Sequence, residues 1–304
     1  MRQAMAATWR SEGLFLYPMA LIPPALLDVT VALGVRQPDD TDQWLGTGFL
    51  YNHVVGETGD GRYDVRGYLV TNRHVVSAAP RLSVLINPRG LPPARGQIEL
   101  IDPANGESNW FFHPNPQVDV AVTGVLHGQL KKLGLVERLA PLHDTQAFTV
   151  ERMREEEVVE GDDVFVVGFP MEIVSRPRAR PLVRSGCIAR VSDLYDQPGD
   201  TIILDAHVYP GNSGGPVFLP PPVVSVTNRP PRKEGGLLGI VYAYQPYIDQ
   251  AYSLQTMRPR IAFEENSGLT LIHTVDCINE TLEVLEAAHP LNSSPGPDLR
   301  KPSK

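Results

Sequence analysis

Short apolar runs separated by glycine, proline, asparagine and aspartate recur along the whole chain. In the first half they fall at residues 29–35, 46–51, 65–71, 82–86, 97–101 and 118–125, and in the second at 164–167, 182–188, 201–204 and 237–243. Runs of this length, rich in valine, isoleucine and leucine and closed by turn residues, predict β-strands. Residues 37–42 and the Gly-, Asp- and Asn-rich stretch 52–64 predict loops, and 72–78 predicts a short turn or helix. Helical spacing marks the end of the chain. There Ile278, Leu282, Leu285 and Ala288 recur so that one face docks on a sheet, with Asp276 as the cap. Twenty-nine prolines and twenty-six glycines scattered between the runs strengthen the all-β expectation.

One turn carries distinctive chemistry. Gly211-Asn212-Ser213-Gly214-Gly215, followed by Pro216, places a serine where backbone N–H groups converge and a carbonyl can approach closely. A serine hydroxyl becomes a nucleophile only beside a base, and His74 and Asp119 stand upstream as candidate base and orienting carboxylate. Asp119 opens an apolar run between two valines, a costly place for a carboxylate without a partner. The turn also fits the G-x-S-x-G elbow of α/β-hydrolases, but there a helix follows the serine and the other two residues come later. Here a β-type run, 216–219, follows, and the order is His, Asp, Ser.

These residues, together with 46–49, 71–76, 119–122, 164–170, 185–189, 205–217 and 239–243, resemble the trypsin-like serine peptidases, closest to the HtrA-like branch. The likeness runs over residues 28–288. It implies two packed antiparallel six-stranded β-barrels with a C-terminal helix. Residues 1–150 would form the first barrel with its entry segment and carry His74 and Asp119. Residues 151–289 would form the second with the terminal helix and carry Ser213, leaving 290–304 as a disordered tail. The resemblance further implies an acyl-enzyme on Ser213, His74 as general base and acid, and an oxyanion hole on the Gly211, Asn212 and Ser213 backbone, with the Gly211 and Ser213 N–H groups donating. It places His207 at the base of a substrate pocket with Tyr209, Ile240, Val241 and Tyr242 around it. No aspartate stands at that base, so a small or medium apolar preference is expected. Asn212 is neutral where the digestive enzymes use an aspartate to receive a new N-terminus, so no activation by cleavage is expected. No appended PDZ domain of the kind common in this branch is expected, and regulation through one is not carried over.

Composition sets limits on these expectations. The 304 residues are 42% hydrophobic and 20% charged with a net charge of −8, an ordinary globular balance without the clustered basic surface of a nucleic-acid binder. The stretch 151–160, with Glu155-Glu156-Glu157, reads as a solvated linker face, and 219–236, with five prolines and Arg229, Arg232 and Lys233, as a mobile loop. Cys187 and Cys277 permit one bridge at most, and whether they pair is open. Residues 14–22 follow Arg2 and Arg10 like a signal-peptide core, yet Pro18, Pro23 and Pro24 interrupt them and no small-x-small site follows. They read as an entry segment, giving a cytoplasmic expectation with secretion as the alternative and no membrane insertion. His113, His127, His143, His207 and His273 have no metal-ligand spacing, so neither metal nor cofactor is expected. The expected partner is a polypeptide substrate, with a regulatory partner left open. The competing reading is a peptidase-fold binding module that does not cleave, or a protease that awaits an effector.

Overall fold

The computed structural model describes residues 22, 24–57, 62–135, 139, 141–175, 178–222, 232, 234–289 and 299–300. The entry segment and most of the 290–304 tail and the proline-rich loop therefore lie outside the described residues. Within them, the expected strands form two β-systems in chain order.

The first contains β1 (Thr30–Arg36), β2 (Asp42–Glu57), β3 (Arg62–Thr71), β4 (Arg81–Ile86), β5 (Ala94–Glu99), β6 (Phe111–Phe112), β7 (Ala121–Thr123) and β8 (Leu142–His143). Its main path runs β5-β4-β1-β2-β3-β7-β6, with β8 parallel to β2 and β15 (Leu299–Arg300) pairing with β3. The ladder stays open as a half-barrel. The second system contains β9 (Asp163–Gly168), β10 (Leu182–Arg190), β11 (Thr201–Asp205), β12 (Pro216–Leu219), β13 (Gly236–Tyr252) and β14 (Pro259–Thr274), and it closes as β10-β11-β14-β13-β12-β9. The double-β architecture expected from the sequence is present, closed in its second half.

Among the described residues the α-helices are α1 (Pro24–Val29), α2 (Arg73–Ser77), α3 (Val125–Lys132), α4 (Val150–Glu155), α5 (Asp193–Asp196) and α6 (Val275–Ala288). Among the described residues no helix is long and apolar enough to cross a membrane. Side chains from alternate strand positions build the two cores, with Leu33, Phe49, Leu69 and Val122 in the first and Val166, Ile202, Val217 and Ile272 in the second. α6 follows β14 but packs on the first core, burying Val275, Ile278, Leu282 and Leu285. Tyr51 Oη donates to Asn279 Oδ1 at 3.2 Å and Tyr68 Oη to Glu286 Oε1 at 2.7 Å, so polar contacts flank the apolar seam.

Several local expectations are corrected. Residues 52–57 form no loop, because β2 continues through them against β3 with a register shift before Gly56. Thr274 holds the N-cap position of α6, while Asp276 Oδ2 instead accepts the Val150 N–H at 2.9 Å, and Ala288 is exposed. The acidic connection is partly α4, capped by the Thr149 side chain and anchored by buried Met153. The 118–125 run gives only a three-residue strand, since Val125 already starts α3. Cys187 and Cys277 are both free thiols, only the second fully buried, and burial pushes the Cys277 thiol up to about 12. Arg232, assigned to the mobile loop, reaches Asp162 at 3.1 Å.

Leu282 is 1% exposed at the centre of the α6 seam. Leu282→Ala is expected to lower unfolding free energy by roughly 2–5 kcal/mol in urea titration. A loss below about 1 kcal/mol would show that the helix contributes little to holding the first sheet.

Candidate active site

The site is built from the junction of the two β-systems. β3 ends at Thr71, and Asn72 takes an extended conformation with φ −91° and ψ 150° before α2 begins. The Asn72 Nδ2 donates to the Asp119 carbonyl at 2.6 Å, and Val75 and Val76 sink into the core. These constraints turn His74 toward Asp119. Its backbone N–H donates to Asp119 Oδ1 at 3.0 Å while its Nδ1–H donates to Asp119 Oδ2. Nε2 is left as the free lone-pair nitrogen of the ring, on a side chain 50% exposed to solvent. Burial pushes the Asp119 carboxyl up, but the side-chain and backbone hydrogen bonds from His74 outweigh it and hold the group below the ordinary aspartate value.

Behind Asp119 stands a residue that sequence reasoning passed over. His273, on β14 and 2% exposed, accepts the Asp119 N–H on Nε2 at 3.0 Å. Its Nδ1 donates to the Asp200 carbonyl at 3.3 Å, and its ring stacks on Tyr242 with centroids 3.9 Å apart and planes 12° apart. Both ring nitrogens are engaged in a way that only the neutral imidazole satisfies. Burial agrees, pushing the His273 pKa below its ordinary value against the nearby Asp200 and Asp119 carboxylates. The sequence signal was a histidine in a run otherwise fit for a barrel wall, which demands partners.

Ser213 comes from the other side. Gly211 has φ +99°, and a Cβ there would meet the Phe169 carbonyl at 2.4 Å, so only glycine fits this turn. The Asn212 N–H is taken up within the turn by the Tyr209 carbonyl at 3.0 Å, whereas the Gly211 and Ser213 N–H groups have no partner among the described residues. The two N–H groups named as donors, those of Gly211 and Ser213, are therefore free among the described residues to meet an incoming oxygen. The Ser213 carbonyl accepts the Thr47 N–H at 2.8 Å. Gly46 lies between the two halves: a Cβ on it would sit 2.7 Å from Val75 Cγ2 and 3.1 Å from the Ser213 carbonyl oxygen. The residue next to His74 and the serine backbone thus approach through one glycine. The Ser213 hydroxyl itself makes no hydrogen bond to a described residue.

A cleft of about 380 Å³ opens beside Ser213, lined on the expected side by Tyr209, Val241 and Tyr242. The other two expected pocket residues lie elsewhere. His207 is exposed with its ring over Gly268, and Ile240 is fully buried in the core. The cleft instead gains Tyr244, Pro246 and Glu264, with Tyr244 Oη donating to Glu264 Oε1 at 2.7 Å. These come from the continuation of β13 and β14 beyond residue 243, which the apolar run alone did not reveal.

Comparison with known proteins agrees with this layout. The chain is similar to a probable periplasmic serine endoprotease DegP-like protein of Rhizobium meliloti (strain 1021), 29% identical over 223 residues, covering 68% of this chain and 35% of the relative. It therefore spans about a third of the length of that relative. The trypsin-like peptidase domain matches residues 46–220, which hold His74, Asp119, Ser213 and the glycines around them, and by that match the chain belongs to the trypsin-like peptidase family.

Proposed function

We propose that this protein is a serine endopeptidase in which Ser213 attacks a peptide carbonyl, His74 takes and returns the proton, and Asp119 fixes the His74 tautomer. The observation that carries the reading is the two-point clasp of His74 by Asp119, through N–H and Nδ1–H, in front of the turn that presents Ser213. A base held in this way keeps Nε2 available for the serine proton, and the Asp119 charge stabilises the imidazolium formed. The Gly211 and Ser213 N–H groups would receive the oxyanion. Proton transfer needs the hydroxyl and Nε2 to close into a hydrogen bond, a step that substrate binding commonly completes. The cleft walls of Val241 and Tyr242 favour a small or medium apolar side chain, with the Glu264 carboxylate at the rim as an added polar contact. The periplasmic relative favours the secretion alternative over the cytoplasmic expectation, which nothing supports. A binding module that never cleaves would have no use for free turn donors beside an oriented base.

A fluorophosphonate probe should label the protein on Ser213, and Ser213→Ala should abolish both labelling and cleavage of a peptide library. No labelling of the intact chain under any condition, with or without substrate peptide, would sink the peptidase reading.

Gly46→Ala inserts a methyl between α2 and the serine turn and is expected to slow labelling about 10²-fold, the effect of a displacement near 1 Å. The folded state should survive with a melting shift typical of overpacking. Unchanged labelling would show that the Gly46 approach does not set the His74–Ser213 geometry.

His273 is proposed as the positioning residue behind Asp119. Its lowered pKa means that it stays neutral until pH falls below its ordinary value, when protonation removes the acceptor for the Asp119 N–H. The groups facing it are the Asp119 and Asp200 carboxylates, His113 and the stacked Tyr242 ring. The acid limb of kcat/KM should therefore be one proton steeper at its low end than the general base alone requires. His273→Gln keeps an acceptor and should give a one-proton limb with most of its activity, while His273→Leu should lose at least tenfold in kcat at neutral pH. Identical pH profiles for wild type and His273→Gln would exclude this role.

A further inference from the structure

β13 and β14 do not end where the barrel ends. β12 covers β13 only to Ile240 and β11 covers β14 only from Leu269, yet the two strands stay paired from Pro246↔Asn266 to Tyr252↔Pro259. The result is a two-stranded ribbon with neither edge paired among the described residues, closed at its tip by the Ser253 N–H to Arg258 carbonyl bond at 3.0 Å. Nearly every residue of it is exposed. An isolated ribbon is marginal in water, and long apolar free edges invite pairing.

The register divides the side chains into two faces. One holds Ile248 and Glu264, and the second of these lines the cleft beside Ser213. The opposite face holds Tyr247, Asp249, Ala251, Ile261, Phe263 and Glu265, and its three large apolar groups are more than half exposed: Tyr247 58%, Ile261 57% and Phe263 52%. Charge is ordered along this face. Glu265 is paired with Tyr247 and Asp249 with Phe263 on the barrel side, the Ala251–Ile261 pair follows, and Arg258 and Arg260 stand at the tip, beyond the last regular pair of this face and with no ion pair among the described residues.

We propose that this outer face is a self-association surface, on which the same ribbon of a second copy lies antiparallel about a two-fold axis. A ribbon with both carboxylates toward the barrel, both arginines at the tip and apolar groups beside the carboxylates is complementary to itself only in that orientation. The axis passes near Ile261 and Phe263, and each pair of tip arginines meets the Asp249 and Glu265 of the other copy. A parallel arrangement would stack arginine on arginine and carboxylate on carboxylate. The surface faces away from the cleft, so both copies keep their clefts open, and the inference is independent of the peptidase reading.

The test is sedimentation equilibrium of the full chain carrying Ser213→Ala to prevent self-digestion, over a wide concentration range at low and high salt. A dimer is expected, weakened by salt. Phe263→Asp should make the chain monomeric while its circular dichroism spectrum and melting temperature stay near those of the parent. Arg258→Glu with Arg260→Glu should raise the dimer dissociation constant at least tenfold, as should Asp249→Arg with Glu265→Arg, and the four changes together should restore it to within about threefold of the parent. A chain that is monomeric throughout, with or without a different protein bound to the ribbon, overturns the proposal. So does an assembly that Phe263→Asp leaves intact, or one in which the fourfold variant fails to recover.

Discussion

The structure turns on Thr47. It is fully buried on β2, and all its polar groups are used across the junction of the two β-systems. Its N–H donates to the Ser213 carbonyl at 2.8 Å and its hydroxyl donates to the Gly211 carbonyl at 2.6 Å. The same hydroxyl accepts the Phe169 N–H at 3.0 Å, and its carbonyl accepts the Thr71 hydroxyl at 2.7 Å. Four buried bonds thus tie the serine turn, the loop after β9 and the end of β3 to one residue, in a setting where each unmade bond would cost about 1–3 kcal/mol. Because Thr71 leads directly into Asn72 and α2, the residue that fixes the serine turn also fixes the strand that delivers His74. The flanking Gly46 is the sequence counterpart of that closeness, since a Cβ there would sit 2.7 Å from Val75 Cγ2 and 3.1 Å from the Ser213 carbonyl oxygen that Thr47 holds.

A second tie runs the other way across the junction. Asp119 belongs to the first half, yet its backbone N–H is received by His273 of the second, whose remaining nitrogen is engaged by Asp200. The clasp on His74 is therefore supported from behind by a group of the opposite β-system. In electrostatic terms the arrangement is divided by role: the carboxylate is held ionised by hydrogen bonds from His74, and the imidazole behind it is held neutral by burial. A charged His273 would stabilise the carboxylate more strongly but would lose its only means of accepting the backbone N–H. Geometry is favoured over charge at that position.

How much of this was legible in the sequence depended on the range of the interaction. Strands such as β4, β9 and β11 follow their apolar runs almost residue for residue, because each pairs with close neighbours and alternates its side chains locally. The serine turn was legible because glycine at 211 is demanded by local backbone geometry. The His74–Asp119 pairing was legible in part from Asp119, a carboxylate beside an apolar run that demands a partner, and the resemblance strengthened the choice of His74 as that partner. Pocket residues fared worse. His207 and Ile240 were placed by analogy with a wall whose real continuation, β13 into the ribbon, has the exposed mixed pattern that reads as loop in a single sequence. His273 was hidden for a related reason: its meaning comes from Asp119, 154 residues away. Asp276 shows the same effect in small, since its cap-like position near the start of α6 is overridden by the Val150 N–H from a distant segment.

The ribbon and the cleft share a root, and this links the two ends of the structure. Tyr244 and Glu264 are joined by a hydrogen bond exposed to solvent at the point where β13 and β14 leave the barrel, and both line the cleft beside Ser213. β13 supplies Val241, whose carbonyl accepts the Gly214 N–H at 2.9 Å and whose N–H donates to the Gly215 carbonyl at 3.0 Å. One strand therefore runs from the serine turn, along the cleft wall, into the ribbon. A register shift between Val241 and Ala243 and another between Tyr244 and Pro246 interrupt it at the root. Such bulges change strand twist locally and let the outer ribbon take a direction different from the barrel wall. Whatever rests on the ribbon bears on a strand that also holds the serine turn, while the two shifts leave the inner hydrogen bonds to Gly214 and Gly215 in the rigid part of the barrel.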